Sequence, residues 1–166
     1  MSLAQVFTRA CVGVEAPEVI VEIHLGGGLP AMSIVGLAET AVRESRDRVK
    51  AALLNAGFEF PQRRITISLA PADLPKEGSR FDLPIALGIL VASKQAPGRL
   101  LANHEFVGEL SLSGELKPVH GVLPVAIQAS GPAAACWSRR AMQQKPRWRG
   151  ARPRCRHPAC WMWWHG

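Results

Sequence analysis

Residues 5–12 (QVFTRACV) and 18–25 (EVIVEIHL) alternate apolar and polar positions. In the second, Val19, Val21, Ile23 and Leu25 share one face, and Glu18, Glu22 and His24 mostly take the other. A two-residue period predicts strands with one side on a core, with residues 14–17 turning between them. Residues 31–35 predict a third strand. Over residues 38–56 the period changes. Ala38, Val42, Val49, Leu53 and Ala56 recur at helical spacing, with Ala41 and Ala52 beside them and Gly57 placed to end the helix. Ile65, Ile67 and Leu69 mark another strand. Residues 83–93 are apolar almost all round, which predicts a helix covered by protein on most sides, with Asp82 as its N-cap and Pro84 in its first turn. Residues 105–112 and 115–119 predict a hairpin about Ser113 and Gly114, and residues 121–130 begin a further helix.

The chain is organised around residues 65–94: a strand, a charged loop at 71–80, and the buried helix. That loop holds Asp73, Lys76, Glu77 and Arg80. Loops carried between two buried elements are where binding and catalytic residues concentrate. Elsewhere the candidate chemistry is thin. The triple glycine at 26–28 invites a phosphate-cradle reading, but a P-loop needs G-x-x-x-x-G-K-[ST] leading into a helix. No lysine is placed for it, Pro30 and a strand follow, and a hairpin loop is the favoured reading. No P-loop of this form occurs in the 166 residues. His24 reads as an exposed strand residue without a second ligand spaced to join it. Arg43, Arg46, Arg48 and Lys50 alternate with Glu39, Glu44 and Asp47, a pattern of a solvated helix face with i,i+4 pairs rather than a phosphate stripe.

The net charge of +7 is a property of the tail. Residues 1–130 hold 12 Lys+Arg against 13 Asp+Glu, a net of −1, whereas residues 131–166 hold Lys145 and seven Arg with no acid, a net of +8. All five Trp and three of the four Cys also lie in that last segment, leaving Cys11 alone in the first 130 residues. The N-terminus has no apolar run of signal-peptide length, and the longest apolar run is far short of the ~18 residues that span a membrane. A soluble, reducing, cytoplasmic setting without a membrane partner is expected.

Three separated runs carry a family resemblance: VGLAETAVRESRDRVKAALLNAGFEFP, PKEGSRFDLPIALGIL and VGELSLSGELKPVHGVLPVAIQA. Over about residues 3–130 the chain closely resembles the N-terminal domain of the magnesium-chelatase-like AAA+ ATPases of the ComM/YifB family. The resemblance implies an α+β two-layer fold of the ribosomal protein S5 domain 2-like kind, shared with the proteolytic domain of Lon, and here incomplete at its C-terminal end. Complete members carry a AAA+ module that binds ATP and magnesium, and their assembled ring is linked to DNA branch migration in natural transformation. This chain is therefore expected to be a non-catalytic N-terminal domain fragment with no cofactor and no metal of its own. Its expected partners are the AAA+ module and, through the assembled protein, DNA.

Kinship with Lon raises a Ser–Lys dyad, in which lysine deprotonates serine for acyl transfer. Aligning the PKDG-like segment on Pro75, Lys76, Glu77 and Gly78 puts the serine's position at Arg80, and the hairpin at 108–114 puts the lysine's at Leu123. Ser79 stands one position early and Lys117 precedes the helix. The alternative of a Lon-like peptidase needs Ser79 to work with Lys76 or Lys117. The bland reading gives Lys76, Glu77, Arg80 and Asp82 polar contacts at a loop facing a partner domain.

Residues 131–166 have three readings. One is a nucleic-acid arm, with Arg for phosphates and Trp for stacking, which would make the chain a small basic nucleic-acid-binding protein. Another is a metal site from Cys155, His157, Cys160 and His165, whose order fits no strong zinc spacing. The favoured reading is a disordered or frameshift-derived tail, since the helical pattern stops at Ser130 and no hydrophobic period survives. The domain would then be 1–130 and the tail 131–166.

Overall fold

The alternating segments assemble into one mixed sheet. The structure is a computed structural model that describes residues 2–36, 38–101 and 104–129. Strands β1 (Ser2–Arg9), β2 (Glu18–Gly26), β3 (Ala31–Val35) and β4 (Arg64–Ala70) lie in the order β1-β2-β4-β3. β1 and β4 run antiparallel to β2, and β3 runs parallel to β4. The pleat sends Val6, Val19, Val21, Ile23, Ile65 and Ile67 to one side, where each is fully buried. Helices α1 (Thr40–Asn55) and α2 (Asp82–Ala92) cover that side, α2 resting on β1 and β2 and against α1. The fold is α+β.

The opposite face carries cross-strand rows. Leu3, His24, Thr66 and Ser33 form one, and Gln5, Glu22, Ser68 and Val35 the next. Gln5 Nε2 donates to Glu22 Oε1 at 2.8 Å. His24 is half-buried in its row rather than fully exposed. Among the described residues both α1 and α2 lie on the other side, and the residues of these rows are mostly polar.

The triple glycine does not make a hairpin. β4 lies between β2 and β3, so the loop spans the end of another strand. The parallel pairing of β3 with β4 needs a crossover, and α1 supplies it. The N-terminal hairpin also differs from expectation. β1 starts at Ser2, and its chain turns at Gly13 and Val14 through reciprocal bonds between Val12 and Glu15. Gly13 takes φ +61°, a conformation that glycine adopts without steric cost.

α2 is the helix that its composition predicts: ten of its eleven residues are buried. The hairpin at 105–119 shrinks to β5 (Glu109–Leu110) and β6 (Leu116–Lys117). Residues ahead of it leave the hairpin for the free edge of β1, where Phe106 N donates to Phe7 O at 2.9 Å. The cause is Arg9, whose Nε and Nη2 reach the Glu105 carboxylate at 2.6 and 2.8 Å and whose Nη1 reaches Ala16 O at 2.9 Å. α3 (Val122–Gln128) closes the described fold on a second small cluster of Ala16, Val107 and Val125. The basic tail, with Cys155, His157, Cys160 and His165, lies outside the described residues.

α2 approaches the sheet closely at Gly88, where a Cβ would fall 2.5 Å from Ile23 Cγ1 and 3.4 Å from Val6 Cγ2. Gly88→Val is therefore expected to lower stability by about 1–3 kcal/mol through overpacking. Urea denaturation would show this as a lower midpoint at unchanged slope.

Candidate functional site

The loop from β4 to α2 brings its charged residues to the place where both helices meet β5. Lys76, Ser79, Arg80 and, at the head of α2, Asp82 each find a separate partner. Lys76 has no exposure to solvent. Its Nζ donates to Pro71 O, and its backbone carbonyl accepts from Glu39 N at 3.2 Å, tying the loop to the start of α1. Burial pushes the Lys76 amine below the usual lysine range, and Asp73 pulls it partly back.

Ser79 is half-buried, and its hydroxyl donates to the Glu109 carboxylate at the start of β5. Arg80 is 9% exposed; its Nη2 donates to His120 O at 2.9 Å and its carbonyl accepts from Gly108 N at 3.1 Å. Asp73 and Glu77 are exposed.

Asp82 is not the N-cap of α2. That position is Phe81, which caps with no side-chain bond. The Asp82 carboxylate is fully buried and accepts from Arg48 Nε at 2.9 Å, from Arg48 Nη2 at 3.2 Å and from Leu110 N at 3.2 Å. A two-pronged charge-assisted contact outcompetes a neutral cap. Arg48 also donates to Ala41 O at 3.0 Å and Ser45 Oγ at 3.2 Å. It therefore leaves the solvated stripe on which Arg43, Arg46 and Lys50 remain exposed. Burial raises the Asp82 carboxyl above its ordinary range, opposed by the bonds from Arg48, Ser45 and Leu110. The same contact raises the Arg48 guanidinium.

Taken together these contacts form a polar clamp that fastens β5 to both helices. The serine–lysine geometry of an acyl-transfer dyad is a different arrangement. Among the described residues, Ser79 bonds a carboxylate and Lys76 bonds a carbonyl. Lys117 is exposed on β6, across the ladder from Glu109, and Leu123 is 63% exposed on α3. No three His, Cys, Asp or Glu side chains among the described residues come together as metal donors would. No helix there is long and apolar enough to cross a membrane.

Two elements of the clamp are invisible to a simple reading of the loop. Arg48 is one; its signal was the small residues Ala41, Ser45 and Ala52, which place it at the edge of the buried face of α1. Glu109 is the other, 30 positions from Ser79. No local pattern marks that pairing.

An α+β domain with this clamp has known relatives. The family described as subunit ChlI of Mg-chelatase matches residues 21–135, and the chain belongs to that family. Within it, competence protein ComM of Haemophilus influenzae is 57% identical over 129 residues, 78% of this chain and 25% of that protein. Uncharacterized protein YifB of Escherichia coli is 54% identical over the same share of the chain and 26% of its own length. An uncharacterized protein of Mycobacterium tuberculosis is 43% identical, again over 26% of its length. The chain spans about a quarter of the length of these curated relatives.

Asp82→Asn leaves Arg48 facing a neutral amide. Because Arg48 can still reach water, the cost is expected at about 2–3 kcal/mol, below the usual loss for a broken buried pair; chemical denaturation measures it. Lys76→Met tests burial of the amine. The folded state depresses this amine below its ordinary 10.5, so the unfolded chain binds more protons between the two values. Wild-type stability should thus rise as pH climbs towards 10.5, while the variant shows a flatter profile, as followed by Tm in alkaline buffers.

Proposed function

We propose that the chain acts as the non-catalytic N-terminal accessory domain of a magnesium-chelatase-like AAA+ ATPase of the ComM/YifB kind. ATP and magnesium would be handled by a AAA+ module of the complete protein, and DNA branch migration would belong to the assembled ring. The domain's own partner is that module, in a cytoplasmic setting. The family membership and the quarter-length match support this reading. The mixed sheet with helices on one face also supports a fold of the ribosomal S5 domain 2-like, Lon-like kind.

The observation that carries the non-catalytic part is the hydroxyl of Ser79 donating to Glu109. A carboxylate is too weak a base to take a serine proton readily at neutral pH, whereas a desolvated lysine amine can do so. Here the desolvated amine, Lys76, is bonded to Pro71 O instead.

The purified chain is expected to turn over no ATP, to cleave no unfolded casein, and to leave Ser79 unlabelled by a fluorophosphonate. Cleavage that Ser79→Ala abolishes would replace this reading with a Lon-like peptidase. In the same preparation, any DNA binding is expected to be salt-sensitive and to vanish on removal of residues 131–166.

A further inference from the structure

We propose that Arg80 is the centre of an oxyanion-binding site whose ligand comes from outside this chain. The argument starts from an unbalanced charge. Arg80 is more than nine-tenths buried, and its Nη1 is fully enclosed without a hydrogen-bond acceptor among the described residues. Its Nη2 has one neutral partner, the carbonyl of His120. A guanidinium keeps its charge under all ordinary conditions, and an enclosed cation without a counter-charge is costly.

No acid of the chain is placed to supply one. All 13 Asp and Glu lie among the described residues, and residues 131–166 contain neither. Glu105 is taken by Arg9 and Asp82 by Arg48, and none of the thirteen forms an ion pair with Arg80. Among the described residues the acceptor for Nη1 is missing.

The surroundings are built for close approach. Residue 121 roofs the guanidinium, and a Cβ there would fall 2.6 Å from Cys11 Sγ and 3.2 Å from Arg80 Nη2. Only glycine, here at φ +70°, permits this closure. The roof is lightly held. It leads into α3, which is fastened by Val125 in the small cluster and by Gln128 Oε1 accepting from Ala16 N at 2.8 Å. Segments with so few buried contacts open at lower cost than the main core. Lifting residues 118–121 presents a planar two-pronged donor, which fits phosphate and carboxylate oxygens alike. This site stands apart from the accessory role proposed above and does not depend on it.

The test is a nitrogen-15 NMR titration of the full chain with inorganic phosphate, and separately with acetate, at ionic strength held constant with chloride. Site-resolved signals are needed because the tail's seven Arg bind anions unspecifically. The expected result is saturable shifts at the Arg80 side-chain N–H and at the His120 and Gly121 amides in the millimolar range. Arg80→Lys, which keeps the charge but loses the fork, should weaken them about tenfold. Saturation by phosphate alone assigns a phosphate ligand, and saturation by acetate alone assigns a carboxylate. Shifts confined to residues 139–156, or an unmoved Arg80 in the wild-type chain, overturn the proposal whether or not the variant folds.

Discussion

A carboxylate sealed from water keeps its charge only if several donors surround it, and those of Asp82 come from three parts of the chain. Arg48 reaches across from α1, Leu110 N arrives from β5, and the acid itself begins α2. The pair consequently sets the angle at which α1 meets α2 and the point at which β5 joins them. Hydrophobic burial would press these elements together in many arrangements, since Ile85, Leu87 and Ile89 accept any apolar neighbour. A buried ion pair accepts few. The apolar face of the sheet supplies the drive to collapse, and the polar clamp selects one packing.

A second pair does the same at the other end of the chain's long-range connections. Arg9 binds Glu105 and the carbonyl of Ala16, so the edge strand, the hairpin turn and the segment before β5 are fixed by a single side chain. Both arginines sit on elements whose apolar faces the sequence displays openly. Periodicity locates β2, β3, β4, α1 and α2 to within two residues or so, because each has one face that must leave water. The strand order is a different matter. That β4 enters between β2 and β3 depends on a crossover through α1, and the glycines at 26–28 look the same in either topology. The short β5–β6 pair misled for a related reason: its alternation was real, but Glu105 and Phe106 had a stronger claim from β1.

The charged loop was legible as a site in position and not in detail. Its residues do converge at the head of α2, as loop placement suggests. What they do there is decided by partners far along the chain. Ser79 meets Glu109, Asp82 meets Arg48, and Arg80 meets the backbone of His120. A residue-type reading put Asp82 at a helix cap because Asp is common there. The alternative won because a cation stood one helix away on a face lined with Ala41, Ser45 and Ala52.

Two buried cations four residues apart show why the loop is half self-contained. Lys76 can meet burial by giving up its proton, and the neutral amine still donates to the Pro71 carbonyl. Arg80 has no such escape, since its guanidinium stays charged. A chain that encloses both therefore settles the first internally and leaves the second with an open valence. The same reasoning explains why the roof over Arg80 ends in a bare glycine beside a weakly held helix, while Lys76 is locked under the start of α1. Within this loop, the residue that can discharge itself is bonded into the scaffold, and the residue that cannot keeps an enclosed Nη1 without an acceptor among the described residues.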